Sequence, residues 1–404
     1  MTQSHALIET VAAGFVYALA GGFVATRLRL PPLLGYLVAG IAIGPFTRGI
    51  VVDGDIAAQL AEIGVILLMF GVGMHISLRD LLSVRALAIP GALIQMLACV
   101  GFGVGVALLW GWGIGGGVVL GFTLAIASTV VLLRALETAG AMGSRIGQIA
   151  IGWLILEDLL TVIVLVALPP LAPMLGGHAA EIVADGSNAW MGLAIVLGKL
   201  VAFIAVMLVV GSRALPWLLA QAVRTGSREM FTLTVMAIAL GVAFVSSQLL
   251  GLSYALGAFF AGIVISASDH SHRAEKDAQP LQDVFAVLFF VSVGMLFDPS
   301  ILLREPLRVL VLTAAIVIGK PLLTYMTLRL FRQSVDIASS VAAGFGQIGE
   351  FSFILIGVGL QLGLLPKEAQ APILGAALLS ITCNPFLFRL LPYFRRRIRG
   401  AVRS

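Results

Sequence analysis

Two adjacent carboxylates, Glu157 and Asp158, stand near the middle of an apolar run that extends from Gly147 to Leu168. About 20 apolar residues cross the hydrocarbon core of a bilayer, and an acid placed there costs several kcal/mol unless it faces a partner or a water-filled cavity. Neighbouring residues on a helix point about 100° apart, so the two acids cannot both face one partner squarely. The pair therefore indicates an ion or proton site within a membrane span. A buried salt bridge that only fixes helix packing is the plainer alternative.

The composition places the chain among integral membrane proteins. Of its 404 residues, 60% are hydrophobic and 11% are charged, whereas soluble domains carry about 25% charged residues. The basic residues stand singly between apolar runs, which argues against a nucleic-acid partner. No Ser/His/Asp, His/Glu metal or phosphate-loop pattern is present, so we expect neither an enzyme nor a bound cofactor.

Hydropathy and turn signals such as Pro31-Pro32 and Pro169-Pro170 predict thirteen membrane spans. The predicted spans cover residues 6–26, 33–49, 56–76, 86–110, 113–134, 145–169, 190–212, 230–248, 252–268, 283–298, 308–328, 336–360 and 371–392.

Lys and Arg residues are distributed unequally between the alternate loops. Of the 25, 19 fall in one set of loops and four in the other, while Lys199 and Lys320 lie inside spans. Because cytoplasmic loops carry the excess of basic residues, we predict an external N-terminus and a cytoplasmic C-terminus in a bacterial inner membrane. An odd number of spans fits this orientation.

An internal repeat relates the two halves of the chain. Residues 39–43 recur as 261–265 with a shift of 222, and residues 62–74 recur as 283–295 with a shift of 221. Because the second copy starts on the cytoplasmic side, the repeats are inverted. That arrangement is typical of secondary transporters, whose substrate site lies near the midplane.

The repeats also predict the domain organisation. We expect a single transmembrane transport domain over residues 1–404, in which repeat A covers about 1–169 and repeat B about 230–394. A linker helix at about 190–212 joins them. No C-terminal nucleotide-binding domain is expected, because no GxGxxG pattern follows a strand.

Small and polar residues interrupt the fifth span of each repeat. Ser128 and Thr129 interrupt the first, and Gln347 and Glu350 interrupt the second at the corresponding positions. Such interruptions predict discontinuous helices that cross at the midplane. Glu350 would then offset the partial positive charge of the half-helix N-termini, and Lys320 the partial negative charge of the C-termini. The plainer alternative is that Ser128 and Thr129 hydrogen-bond their own helix.

Lys320 lies deep in span 11, between Gly319 and Pro321. A buried ammonium needs a carboxylate or loses its proton, and we expect Glu157 to be its ion-pair partner. Lys199 also lies deep, but no acid stands near it in span 7, so snorkelling to the interface is an equal alternative.

Five segments resemble the monovalent cation:proton antiporter-2 family, with the Kef-type potassium:proton antiporters as the nearest branch. The resemblance covers nearly the whole chain in the right order. It is carried by Pro31–Pro45, Ile126–Thr129, Glu157-Asp158, Phe289–Met295 and Gly346–Phe351. It implies a sodium/proton-antiporter-like fold of about thirteen helices.

The resemblance also implies an assembly and a set of roles. The family forms homodimers in lipid, in which spans 4–6 and 11–13 form a moving core and the other spans except the linker form a dimerisation panel. By motif position, Asp158 would be the shared carrier of cation and proton, Lys320 the core lysine and Glu350 the acid of the second broken helix. Glu157 departs from the Gln or Asp found there in relatives, which leaves the choice of cation open. Kef-type proteins usually continue into a regulatory domain, so a regulatory domain or subunit outside this chain is a further expected partner.

The sequence thus predicts a secondary active cation:proton antiporter, with potassium as the expected cation. Asp158 would bind a proton or a dehydrated monovalent cation, and oxygens of Ser128 and Thr129 would complete the cation shell. The alternatives are a sodium:proton antiporter, a gated potassium efflux channel and, with less support, a non-transporting membrane sensor.

Overall fold

Helices joined by short loops make up the described part of the chain, which contains no β-strand. The structure, a computed structural model, describes residues 6–47, 54–75, 78–138, 140–141, 144–178, 189–250 and 252–401. Nine of the helices in these ranges are long and apolar enough to cross a membrane, and five shorter apolar helices accompany them. The chain is therefore an all-α, multi-pass membrane protein, as predicted.

Seven helices occupy the region of the first six predicted spans. They are α1 Ala6–Arg27, α2 Pro32–Ile43, α3 Gly54–His75, α4 Leu78–Trp110, α5 Gly113–Ala125, α6 Thr129–Thr138 and α7 Arg145–Leu171. The predicted second span was too long, since α2 ends at Ile43 and residues 44–47 are not helical. The last two residues of that prediction, 48 and 49, lie outside the described ranges.

The remaining helices form the linker and the second half of the chain. They are α8 Ala189–Val206, α9 Ser212–Arg224, α10 Arg228–Leu250, α11 Tyr254–Ser266, α12 Ser271–Met295, α13 Ile301–Arg304, α14 Pro306–Ala314, α15 Lys320–Leu330, α16 Val335–Gly344, α17 Glu350–Gln361 and α18 Lys367–Ala401. Short π-helical turns, Met207–Gly211 and Ala315–Gly319, connect α8 to α9 and α14 to α15. With these joined segments and the pairs α5–α6 and α16–α17 each taken as one span, and with the four-residue α13 left out, the order agrees with the thirteen predicted spans.

Local sequence signals set several helix starts. Ser144, Ser253 and Ser334 precede α7, α11 and α16, and each hydroxyl accepts a hydrogen bond from a backbone N–H of the first turn. Such caps satisfy N–H groups that have no partner inside the helix. Pro32 opens α2, where its missing N–H is harmless.

Two helices are interrupted in mid-membrane, and the interruptions cross. The chain is extended at Ile126 between α5 and α6, and again at Gly349 just before α17. The N–H of Gly349 donates to the carbonyl oxygen of Ile126 at 3.1 Å. A Cβ added to Gly349 would lie 2.6 Å from the carbonyl oxygen of Ala127, so glycine permits the close approach. The predicted crossed, discontinuous helices are confirmed.

The helices pack into two groups. In the panel, α1, α2 and α3 pack with α10, α11 and α12. In the core bundle, α4 to α7 pack with α14 to α18, and both interrupted helices belong to it. This division matches the grouping that the family resemblance implies.

Four glycines explain why the repeat is visible in the sequence of the panel helices. Gly40 of α2 faces Gly294 of α12, and Gly73 of α3 faces Gly262 of α11. A Cβ on any of them would overlap a backbone carbonyl oxygen of the facing helix. Gly40 corresponds to Gly262 and Gly73 to Gly294, so each contact joins one glycine from each repeat. Small residues let membrane helices approach closely.

Candidate ion-binding site

Four buried charged side chains meet where the interrupted helices cross. Glu157 and Asp158 lie on α7, Lys320 begins α15 and Glu350 begins α17. Their exposed fractions are 0%, 5%, 2% and 6% respectively. Asp158 interacts electrostatically with both Glu350 and Glu157. The structure therefore brings together the acids and the lysine that the sequence selected from separate spans.

The ammonium group of Lys320 binds the backbone of both interruptions. Nζ donates to the carbonyl oxygens of Ala125 at 3.4 Å, Ile126 at 3.1 Å and Gln347 at 2.7 Å. The first two carbonyls stand at the C-terminal end of α5, where an unwound helix leaves partial negative charge. Lys320 thus lies where its charge offsets that end of the helix.

Glu157 has a hydrogen-bond donor at each carboxylate oxygen. Oε1 accepts from Nε2 of Gln95, and Oε2 accepts from the backbone N–H of Ala127 at 3.3 Å. Glu157 therefore binds an N–H group of the same interruption whose carbonyl groups bind Lys320.

The direct ion pair predicted between Glu157 and Lys320 is absent among the residues that the structure describes. The two side chains interact electrostatically, but each binds the backbone of the same interruption instead. The physical reason is the unwound segment, whose free N–H and carbonyl groups offer both charges partners that a continuous helix would not.

Asp158 and Glu350 differ from Glu157 because each keeps an unpartnered oxygen. Oδ2 of Asp158 accepts from the hydroxyl of Thr129 at 3.2 Å, but Oδ1 is buried with no protein partner. Oε2 of Glu350 is likewise buried without a partner. A buried carboxylate oxygen is costly unless a proton, a water molecule or a cation satisfies it. Among the described residues at the crossing, these two acids are the ones that keep a buried carboxylate oxygen without a protein donor.

Gln347 clamps the two interruptions together. Its Oε1 accepts from the N–H of Ser128 at 3.0 Å, and its Nε2 donates to the Ser128 carbonyl oxygen at 3.2 Å. The Ser128 hydroxyl accepts from the N–H of Val131 at 3.4 Å, so it caps the start of α6. The Ser128 hydroxyl thus bonds its own helix and also interacts with Glu350, whereas Thr129 reaches Asp158.

Sequence reasoning missed Gln95 and Thr324. Both side chains are fully buried, and the Thr324 hydroxyl lies 2.6 Å from Oε1 of Gln95. The available signal was an amide or hydroxyl in the interior of spans 4 and 11, but neutral polar residues are common in membrane helices. Only the fold shows that they border the acids.

Comparisons with known proteins identify relatives of this chain. The family described as "Sodium/hydrogen exchanger, transmembrane" matches residues 14–391. YbaL of Escherichia coli (strain K12), which bears the name of a cation/proton antiporter, is 51% identical over 395 residues, covering 97% of this chain and 69% of YbaL.

Two further relatives extend the comparison. The glutathione-regulated potassium-efflux system protein KefC of Klebsiella pneumoniae (subspecies pneumoniae) is 30% identical over the whole chain, which spans 63% of KefC. The solved structure of the sodium proton antiporter MjNhaP1 from Methanocaldococcus jannaschii has a TM-score of 0.66 at 17% identity, covering 96% of this chain and 98% of that one. This last likeness shows a shared fold.

The match to the exchanger family covers most of the chain, and the identity to YbaL extends over nearly all of it. Both agree with the crossed helices and the buried acids described above. The chain therefore belongs to the sodium/hydrogen exchanger family of cation/proton antiporters.

Proposed function

We propose that this chain exchanges potassium ions for protons by alternating access, with Asp158 as the shared carrier. The observation that carries the proposal is the free Oδ1 of Asp158, buried at the crossing beside the Thr129 hydroxyl. Glu157, by contrast, has both oxygens occupied by protein donors. Asp158, which keeps an oxygen without a protein donor, is therefore the better candidate of the two to bind the ion.

Competition at one carboxylate would couple the two fluxes. Asp158 accepts either a proton or a dehydrated cation, and each neutralises the charge that the other needs. The Thr129 hydroxyl supplies a second oxygen at 3.2 Å from Oδ2, and Ser128 stands next to it at the start of α6. Oxygen ligands suit hard monovalent and divalent cations. Glu350, with its own unpartnered oxygen, adds negative charge beside the site.

Potassium is proposed because of the relatives. KefC bears the name of a potassium-efflux system and aligns with the whole of this chain. Sodium is the alternative, because Glu157 stands where potassium-type relatives often carry glutamine.

The proposal includes a setting for the protein. We place it in a bacterial inner membrane as a homodimer that associates through the panel, with the N-terminus outside and the C-terminus in the cytoplasm. The distribution of 19 and four basic residues between alternate loops supports this orientation. Repeat A, the linker and repeat B together form one transport domain in this proposal.

The test is proton movement in proteoliposomes that carry a pH gradient. Potassium and then sodium are added to the wild type, to Asp158→Asn and to the control Asp283→Asn, which removes an acid of the panel helix α12. We expect potassium to collapse the gradient in the wild type and in the control but not in Asp158→Asn, since asparagine binds neither ion as a carboxylate does.

Three other outcomes of this experiment would each change the assignment. Exchange that sodium supports as well as or better than potassium would make the protein a sodium:proton antiporter. A cation leak with no coupled proton movement would favour the channel. Coupled exchange retained by folded Asp158→Asn would refute Asp158 as the carrier.

A further inference from the structure

We propose that Gln95 on α4 is a positioning residue for the exchange site. Its amide holds Glu157 against the interruption between α5 and α6, and the cation is thereby left to Asp158. This inference rests on the proposed antiport and assigns a role to a residue outside the charged cluster.

The amide of Gln95 has a partner on each side. Nε2 donates to Oε1 of Glu157 and, at 3.3 Å, to the carbonyl oxygen of Ala125. Oε1 lies 2.6 Å from the hydroxyl of Thr324, which also lies 3.0 Å from the carbonyl oxygen of Lys320 in its own helix. A carbonyl and a carboxylate oxygen can only accept, so the amide cannot be turned around without facing two acceptors.

These contacts join four elements of the core bundle. Gln95 belongs to α4, Ala125 ends α5, Glu157 lies in α7 and Thr324 lies in α15. The side chain is fully buried, so no water competes for its bonds. Gln95 therefore links the helix that carries the acids to the helix that carries Lys320.

The Gln95 amide gives the adjacent acids Glu157 and Asp158 different roles. With Gln95 on Oε1 and the Ala127 N–H on Oε2, each oxygen of Glu157 already has a protein donor, whereas Oδ1 of Asp158 has none. The charge of Glu157 is nevertheless held beside Asp158 and contributes to the attraction of a cation there. The other titratable groups around these two acids are Lys320 on α15 and Cys99 on α4, which interact with Glu157, and Glu350 on α17, which interacts with Asp158.

Removal of the amide changes the charge balance at the site. Without Nε2, the ionised form of Glu157 loses a donor that it cannot replace from water, and it becomes less stable. A weaker or displaced negative charge attracts the cation at Asp158 less strongly. We expect Gln95→Leu to raise the cation KM about tenfold, as the loss of a hydrogen bond to a charged group predicts. The maximal rate should change much less.

The experiment combines transport with cation binding. Cation KM and maximal rate are measured in proteoliposomes for the wild type, Gln95→Leu, Thr324→Val and Thr324→Ser. The matched control is Gln282→Leu, because Gln282 is also a buried glutamine but lies in the panel helix α12. In detergent, the rise in Tm on addition of potassium or sodium reports binding without transport.

A positioning role predicts a pattern that packing alone does not. KM should rise in Gln95→Leu and, less strongly, in Thr324→Val. Thr324→Ser should restore it, because serine keeps the hydroxyl, and Gln282→Leu should leave it unchanged. The double variant Gln95→Leu/Thr324→Val should be no worse than Gln95→Leu, since both changes break one network. If Gln95→Leu does not fold, Thr324→Val and Thr324→Ser still give the comparison.

The inference fails separately from the proposed function. Wild-type exchange with an unchanged KM in folded Gln95→Leu, or an equal change in Gln282→Leu, would overturn the role of Gln95 alone. A wild type without coupled exchange would refute the antiport. In that case the rise in Tm on addition of cation still tests the inference. If the rise is equal in the wild type and Gln95→Leu, or if the wild type shows no rise, the inference is overturned as well.

Discussion

Replacement of Lys320 by methionine tests the electrostatic account of the crossing. Methionine keeps an unbranched side chain but removes all three bonds that Nζ donates. The carbonyl oxygens of Ala125 and Ile126 keep other donors, Gln95 and the Gly349 N–H, whereas that of Gln347 loses the donor described above. An unsatisfied buried carbonyl costs about 1–3 kcal/mol.

The loss of positive charge adds to this figure. Removal of one partner from a buried ion pair costs about 3–5 kcal/mol. That figure is an upper bound here, because Lys320 and Glu157 interact without a direct ion pair and Glu157 would keep both of its own donors. We therefore expect Lys320→Met to reduce the free energy of unfolding by about 3–5 kcal/mol in total. With the entropy of unfolding scaled to this chain length, that corresponds to a fall in Tm of about 4–6 °C.

Thermal unfolding in detergent measures this fall, and Lys199→Met is the matched control. Lys199 is a half-buried lysine of the linker helix α8 with no hydrogen bond or ion pair among the described residues. The substitution Lys199→Met should therefore shift Tm by no more than about 1 °C. If Lys320→Met melts with the wild type, or if both variants shift equally, the reasoning about the crossing is wrong.

Two further stability predictions use controls from the same chain. Gly40→Ala should destabilise the panel by about 1–3 kcal/mol, because the new Cβ overlaps a carbonyl oxygen of α12. The control is Gly105→Ala, whose new Cβ would have no neighbouring atom within 4 Å and which should stabilise α4 by up to about 1 kcal/mol. Equal Tm values for the two variants would contradict this reasoning. Gln347→Leu should lower the free energy of unfolding by about 2–4 kcal/mol because it leaves the N–H and carbonyl of Ser128 without the amide. The exposed Gln361→Leu should not, and a Gln347→Leu protein as stable as this control would exclude the clamp.

Much of the fold could be predicted because membrane helices carry strong and simple signals. A bilayer requires about 20 apolar residues per span, and glycines that must face a carbonyl are repeated in both halves. The interruptions were visible as polar residues at corresponding positions. The end of α2 at Ile43 was missed, although Gly44 and Pro45, which commonly mark a helix C-terminus, stand directly after it.

The charged residues of the site could be predicted from the sequence, but their hydrogen-bond partners could not. Acids and lysines in apolar runs are rare, so Asp158, Glu157, Lys320 and Glu350 stood out in the sequence. Which donor each would meet depended on the path of unwound backbone, and sequence pattern does not give that path. A direct Glu157–Lys320 pair was therefore the natural prediction, and the roles of Gln95 and Thr324 had no distinguishing signal.

The crossing separates charges that hold the backbone from charges that remain available. Lys320 and Glu157 bind carbonyl and N–H groups that the interruptions leave free, so both help to hold the crossing. Asp158 and Glu350 each keep a buried oxygen without a protein partner. A site built to exchange ions needs both kinds of group, because a carrier must be able to gain and lose a charge while its surroundings stay in place. The division of tasks among these four residues thus narrows the proposed carrier to Asp158 and Glu350, and of these two Asp158 has the Thr129 hydroxyl within hydrogen-bonding distance.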